Sequence, residues 1–163
     1  MPQFHAPDYA DNTDNDKIMQ NIIADMITSG ETQLDIASGF FEPSVWELLG
    51  KYLQELTSFR LLLGRAPDLE NKNTDDQLVD LKTFYKTRVR TNLEDMPLNR
   101  DYAQLVDDLI TFLQQDHVAV RYYNGVFLHA KAYISNHYAI VGSSNFTHSG
   151  MTRKAELNLV QKT

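Results

Sequence analysis

The sequence predicts an α/β fold, a mixed β-sheet with helices on both faces. Three observations carry that expectation. The first half alternates helical and strand-like apolar patterns in the order helix, strand, helix, strand, as a sheet layered with helices requires. The second half adds short strand-like runs separated by turn residues. The chain has 163 residues and 42% hydrophobic content, enough for one compact domain with a sizeable core and not enough to force two.

Taken in order, residues 1–15 are polar, rich in Asp and Asn, and hold two prolines. They are expected to form a flexible N-terminal arm, with residues 16–163 as the single domain. Asp14 or Asp16 is placed to cap a helix that runs to about Thr28, with Ile18, Ile22, Ile23, Met26 and Ile27 apolar and Ser29-Gly30 ending it. Thr32 to Ala37 reads as a buried strand leading into Ser38-Gly39-Phe40-Phe41. Ser44 precedes a helix carrying Val45, Trp46, Leu48, Leu49, Leu53 and Leu56, and Phe59 to Leu63 is a strand ending at Gly64-Arg65. An acidic loop from 68 to 80 feeds a helix from Leu78 to about Leu93, and Pro97 breaks the chain. A further helix spans about Arg100 to Gln115, and Val118 to Tyr122 is a strand. Asn124-Gly125 is a hairpin signal, and two strands follow, Phe127 to Ile134 and Tyr138 to Val141. Phe146 to Gly150 reads as a turn and Ala155 to Val160 as the last strand. An end at Thr163, so soon after a core strand, is expected of a fragment of a longer chain.

The formal net charge is −7 and the pI near 5.1. That opposes a broad non-specific nucleic-acid surface while leaving room for a local basic site. The absence of cysteine removes disulfides and thiolate metal sites. The N-terminus lacks a basic segment followed by an apolar one, and no apolar run is long enough to cross a bilayer. A soluble, cytoplasmic protein with no membrane partner is the default expectation. No Gly-x4-Gly-Lys-Ser/Thr is present, so the chain has no nucleotide-binding loop of its own, and no tight His-x3-His pattern suggests a metal.

Chemistry gathers in one stretch. From Phe127 to Ile134 the residues alternate, with His129, Lys131 and Tyr133 on one face. Leu128, Ala130, Ala132 and Ile134 form a small apolar packing face on the other. The next strand runs into Gly142-Ser143-Ser144-Asn145, a turn rich in hydrogen-bond donors. An imidazole, an ammonium and such a turn close together suit a phosphate oxyanion. Glu156 lies in an otherwise mostly apolar run and needs a partner. A carboxylate on Nδ1 of a histidine would leave Nε2 free to attack or to take a proton.

His129-x-Lys131, followed by Gly142-Ser143-x-Asn145 and then Glu156, resembles the phospholipase D superfamily, whose hallmark is H-x-K-x4-D followed by G-S-x-N. Asp35-Ile-Ala-Ser-Gly-Phe-Phe41 and Arg60-Leu-Leu-Leu-Gly64 resemble the phospholipase-D-like N-terminal regions attached to some helicase-type and restriction-type bacterial proteins. The resemblance implies a phospholipase-D-like mixed sheet sandwiched between helices, and a metal-independent, cofactor-free phosphodiesterase or nuclease. One histidine attacks phosphorus to give a phosphohistidine, and a second, from a second motif copy, protonates the leaving oxygen. On this chain His129 is then the nucleophile or the acid. Lys131 and Asn145 hold phosphate oxygens, Ser143 is a supporting donor and Glu156 orients a histidine.

Two features depart from the family pattern. Asn136 stands at the aspartate position, and the spacing from there to the glycine is one residue short. Only one motif copy is present, because His5 and His117 are not followed by the lysine. The resemblance therefore implies a homodimer that brings two His129 residues together, or a second motif in a missing part of the chain. DNA is the expected partner. The rival reading is a non-catalytic nucleic-acid-binding accessory domain of a helicase, and a blander one is a domain kept for assembly alone. Other residues are read conservatively: His137 and His148 as exposed loop positions, Phe40, Phe41 and Trp46 as core, and Arg65 and the Lys82, Lys86, Arg88 and Arg90 cluster as solvated.

Overall fold

The computed structural model describes residues 4–64, 100–123 and 128–163. Seven strands form one mixed sheet: β1 (Tyr9–Ala10), β2 (Gln33–Ser38), β3 (Ser58–Leu63), β4 (Val118–Tyr122), β5 (Lys131–Ser135), β6 (Tyr138–Gly142) and β7 (Asn158–Lys162). Their spatial order is β1-β7-β6-β5-β2-β3-β4. β2, β3 and β4 are parallel neighbours, and every other pairing is antiparallel. The described helices are α1 (Met19–Thr28), α2 (Val45–Leu53), α3 (Arg100–Leu113) and α4 (His148–Thr152). Parallel neighbours cannot be joined by a tight turn, and α2 provides the crossover from β2 to β3.

α1 packs on α2 and α4, and α2 on α3 and α4, so the four described helices form one layer. Under it lie Leu34 and Ile36 of β2, Phe59, Leu61 and Leu63 of β3, Tyr133 of β5 and Ile140 of β6, all buried. Amphipathic patterning fixes this arrangement, since strand residues two apart share a face. On the opposite face Val141 is 57% and Leu159 65% exposed, with Ile134 beside them. The mixed sheet with helices is as the sequence predicts, but the described helices all cover one face, where helices on both were expected. The helix expected over 78–93, Arg65, Pro97 and the basic cluster all lie outside the described residues.

Several local expectations change. Residues 4–15, expected as a flexible arm, supply edge strand β1, with Ala10 fully buried and Phe4 packed edge-on against Tyr138. Asn12 explains why. At φ 61° its side chain donates to the carbonyls of Gly150 and Lys154 and accepts from the N–H of Met19. It thereby does the capping work expected of Asp14 or Asp16, which instead flank and enter a short 3-10 turn (Asn15–Lys17). On β5 the packing face is the reverse of the one expected. Tyr133 and Lys131 point into the molecule and Ile134 outward, because the Tyr133 ring fills the core beneath the 143–145 turn. The turn expected at 146–150 contains the start of α4, and Glu156 precedes β7 rather than lying within it.

Asn124-Gly125, the hairpin signal, lies outside the described residues, and β4 and β5 on either side of it are not neighbours, since β3 and β2 separate them in the sheet. β4 and β5 therefore lie three strand spacings, about 14 Å, apart. Leu128, on the way into β5, passes close to Gly64 at the end of β3. A Cβ there would sit 2.7 Å from the carbonyl oxygen of Gly39 and 3.2 Å from that of Leu128, so three backbone segments meet at van der Waals distance.

Candidate active site

Strand direction gathers one set of chain segments at a single end of the sheet. β2, β3 and β6 finish there, at Ser38, Leu63 and Gly142, while β5 and β7 begin there, at Lys131 and Asn158. Lys131 is the register partner of Ser38, and Gly142 that of Asn158. His129, Lys131, Ser143, Asn145 and Glu156, scattered over 28 positions of sequence, thus belong to the same end.

Lys131 is 5% exposed, and its ammonium donates to the carbonyl of His129 at 2.9 Å. That contact ties the lysine to the backbone of the histidine two residues before it. It uses one of three N–H donors and leaves two for an anion. Burial pushes the Lys131 ammonium below its ordinary pKa, and the Glu156 carboxylate pushes it back up. The Glu156 carboxylate opposes loss of charge on Lys131 and acts in the same sense on the Tyr133 hydroxyl, raising its pKa. His129 itself is exposed.

Asn145 is oriented from the other side. Its Oδ1 accepts the backbone N–H of Phe40 at 3.3 Å and lies 3.5 Å from Ser38 Oγ. A backbone N–H requires an acceptor, so the carbonyl end of the amide must face Phe40. The Nδ2 donor then faces away from β2. Ser38, fully buried, stands between Lys131 and Asn145. It donates to the Phe40 carbonyl at 2.6 Å and accepts the N–H of Phe146 at 2.9 Å. This joins the chain leaving β2 to the chain leaving β6.

The 142–145 turn is held from below by residues that the sequence reading did not single out. Tyr133 Oη donates to the Ser144 carbonyl at 2.9 Å. Asn158, 1% exposed, accepts the Ser144 N–H and donates to Ser144 Oγ and to the Ala10 carbonyl. Burial, reinforced by Glu156, holds the Tyr133 hydroxyl well above its ordinary pKa, so it stays a donor. A Cβ on Gly142 would overlap the Leu157 carbonyl and the Asn158 backbone, so only glycine lets β6 and β7 approach this closely. The available signal for Asn158 was an amide between two leucines, Leu157 and Leu159. Ser38 and Tyr133 carried none beyond their place in the alternation.

Ser143, expected as a supporting donor to phosphate, directs its hydroxyl elsewhere. Oγ accepts the Leu157 N–H at 3.0 Å and lies 3.5 Å from the Leu157 carbonyl, while the Ser143 N–H also reaches that carbonyl. It fixes the residue that follows Glu156. His148, read as an exposed loop residue, opens α4, where its N–H donates to Glu42 and its ring lies beside Thr152. His137 pairs with the buried Glu31 at the opposite end of the sheet. Phe41 stacks on Phe146 at 5.5 Å, in the core as expected, whereas Phe40 is 49% exposed.

Asn136 is also at that opposite end. Its Oδ1 accepts the backbone N–H groups of Thr32 and Gln33 at 2.9 and 3.1 Å. Five residues of extended chain, about 17 Å, separate it from Lys131. An amide oxygen accepts there as a carboxylate oxygen would.

Comparison with known proteins bears on the family and the fold. The family model described as "Cardiolipin synthase, PLD-like domain" matches residues 23–163. No curated protein matches the sequence significantly. The fold is similar to the crystal structure of a phospholipase D family member, Nuc, from Salmonella typhimurium. There the TM-score is 0.51 at 14% identity, over 93% of this chain and 79% of that one. It is also similar to phosphatidylserine synthase from Haemophilus influenzae Rd KW20. In that case the TM-score is 0.53 at 14% identity, over 93% of this chain and 33% of the synthase. At such identities the likeness concerns the fold.

Proposed function

The chain belongs to the phospholipase D-like family, and on that premise we propose that it is a metal-independent phosphodiesterase acting on DNA. The observation that carries the reading is the junction at Ser38. The Lys131 ammonium lies on one side of it and the Asn145 amide on the other, each tied to backbone. Two oriented donors at the mouth of a desolvated site favour a tetrahedral anion, and desolvation strengthens both.

In the proposed reaction His129 Nε2 attacks phosphorus. An N–P bond forms and the P–O bond to the leaving group breaks. The leaving oxygen takes a proton from His129 of a second copy. Water then attacks phosphorus, gives its proton to that second imidazole, and the N–P bond breaks. Lys131 and Asn145 hold the non-bridging oxygens through both steps, doing work that a metal ion does in other phosphoryl-transfer sites. Glu156 balances the Lys131 charge in the unliganded site and orients the imidazole. Because the chain has one His-x-Lys, the complete site needs two copies, or a second motif from elsewhere in a longer protein. The resemblance of 35–41 and 60–64 to regions of helicase-type and restriction-type proteins supports a role as a module of such a protein.

The test is cleavage of plasmid and single-stranded DNA in EDTA, with vesicles of a phospholipid as the competing substrate. Cleavage of DNA that persists in EDTA and is abolished by His129→Ala supports the reading. A magnesium requirement, activity surviving His129→Ala, or turnover of the lipid alone overturns it. DNA binding without cleavage selects the accessory-domain alternative. Sedimentation across a concentration series reads the second copy directly, and a strict monomer that still cleaves DNA excludes the two-histidine site.

A further inference from the structure

The segment that leaves the site at Asn145 and returns to it at Leu157 carries two cations in a row, Arg153 and Lys154. We infer that this pair is a second anchor for the substrate, holding backbone phosphates next to the one at Lys131. The substrate is then a polynucleotide strand rather than an isolated phosphodiester. The inference rests on the phosphodiesterase reading above and goes further by naming the side on which the strand leaves the site.

Placement sets the pair apart from ordinary surface charge. Gly150 packs on the backbone of Asn145 so closely that a Cβ on it would lie 2.4 Å from the Asn145 carbonyl oxygen. The carbonyl of its neighbour Ser149 accepts the N–H groups of Arg153 at 3.1 Å and Lys154 at 2.9 Å. The Lys154 carbonyl accepts from Asn12 at 2.9 Å, and three residues on, Leu157 exchanges hydrogen bonds with Ser143. Both cations therefore stand on backbone fixed on either side to the Gly-Ser-x-Asn turn. Their side chains are exposed and make no ion pair among the described residues. By contrast, Lys17 is committed to Asp14, Arg60 to Asp35 and Lys131 to the His129 carbonyl. Asp11 and Asp14, which flank Asn12 in sequence, are engaged by Thr13 and Lys17. Solvated cations ordinarily contribute little by themselves. At the rim of an anion site, in a chain of net charge −7, two of them offer a place where further charges of a polyanion are met. A nucleic-acid strand carries one charge every ~3.4 Å of duplex axis, so phosphates next to a bound one lie within the span of a few residues. A single phosphodiester has no further charge to offer.

The experiment measures binding of a short single-stranded oligonucleotide across a salt series, in a His129→Ala background that leaves it uncut. Each phosphate neutralised on a single strand contributes about 0.7 to the slope of log affinity against log salt. Arg153→Gln with Lys154→Gln is therefore expected to reduce that slope by about 1.4, and its affinity deficit to shrink roughly sevenfold between about 50 and 200 mM salt. Inorganic phosphate, small enough to occupy the Lys131 site alone, should bind the background and the double variant alike. Lys162→Gln is the control. It removes an exposed cation at the opposite end of β7, opposite Tyr138, and should leave the slope unchanged. A background protein that binds phosphate but whose slope the double variant leaves intact overturns this inference alone. So does a change of the same size per charge in Lys162→Gln, which reports net charge, and so does a pair needed for binding anionic phospholipid vesicles but not the oligonucleotide. A background protein that binds neither phosphate nor oligonucleotide sinks the site reading and the inference together.

Discussion

Replacing Ser38 by alanine removes one oxygen from the centre of the site. That oxygen accepts the Phe146 N–H at 2.9 Å and donates to the Phe40 carbonyl at 2.6 Å, with no solvent contact. The two losses are unequal. Phe40 is half exposed, so its carbonyl can turn to water. The Phe146 N–H lies among buried groups and is left without an acceptor, which costs about 1–3 kcal/mol. For a chain of this size each kcal/mol lowers Tm by roughly 2–4 °C, so Ser38→Ala should melt about 2–12 °C below the parent in a calorimetric or circular-dichroism scan. The loss should couple to Asn145, whose Oδ1 shares the junction. Effects of Ser38→Ala and Asn145→Ala should miss additivity by roughly 0.5–3 kcal/mol, as residues of one network do. Affinity for inorganic phosphate should fall in the single mutant, since the segment carrying Asn145 is no longer pinned to β2. A melting temperature within 1 °C of the parent, with additive double-mutant energies and unchanged phosphate affinity, refutes the idea that Ser38 builds the site.

Two further outcomes are expected at the far end of the sheet. Asn136→Asp should leave stability within about 1 kcal/mol and activity unchanged, because two backbone N–H groups need only an acceptor. Asn136→Ala should cost roughly 0.5–1.5 kcal/mol in urea denaturation, again without touching activity; a gain of activity in Asn136→Asp would show that the carboxylate matters chemically. For Glu31, burial works to raise its pKa, but hydrogen bonds from the His137 ring and backbone and from Ser135 outweigh it and hold the carboxyl below its ordinary value. The unfolded chain therefore binds more protons than the folded one as pH drops through the carboxylate range. The associated stability is fully present above a pKa of about 4.3 and is lost below it. Glu31→Gln should flatten that acid limb in pH-dependent urea titrations, and an unchanged limb would remove Glu31 from the account.

What could be read from sequence followed the strength of local periodicity. The spans of β3, β4, α2 and α3 were legible because their apolar residues recur at clean intervals over 5 to 14 positions. The face of β5 was misread because hydropathy alone favours the wrong set. Leu, Ala, Ala and Ile outscore His, Lys and Tyr on any hydropathy scale, yet one aromatic ring that fills the core and satisfies the Ser144 carbonyl decides the orientation. The motif residues were legible as types at fixed spacing. The frame around them was not, because Ser38 and Asn158 act through contacts spanning 108 and 14 positions of chain. That β4 and β5 are not neighbours was illegible for a related reason, since turn chemistry is local and the pairing of β5 with β2 is not.

The shortened spacing between Asn136 and Gly142 has a physical resolution in that pairing. A residue lost within a strand flips every side chain beyond it to the other face. A residue lost in a turn does not, provided the turn can close. Here β5 ends at Ser135 and β6 begins at Tyr138, so Asn136 and His137 make the connection between them, the shortest length common in hairpins. Ile134 pairs with Ala139 and Ala132 with Val141. That register sets Lys131 opposite Gly142, both on the helix side of the sheet, with His129-x-Lys131 and Gly-Ser-x-Asn at the same end. The antiparallel direction of β5 is essential to this result. The residues that begin one strand reach the residues that end the next only if the strand between them runs back. A sheet made wholly of parallel strands would carry the His-x-Lys pair to the far end, about 17 Å away. The turn that holds Asn136 is the return point of that path, so its chemistry and its length are both free to differ as long as it closes, while the length of the strands is not. Inserting one residue between Ser135 and Tyr138 should therefore be tolerated, whereas inserting one between Ala132 and Ile134 should abolish phosphate binding.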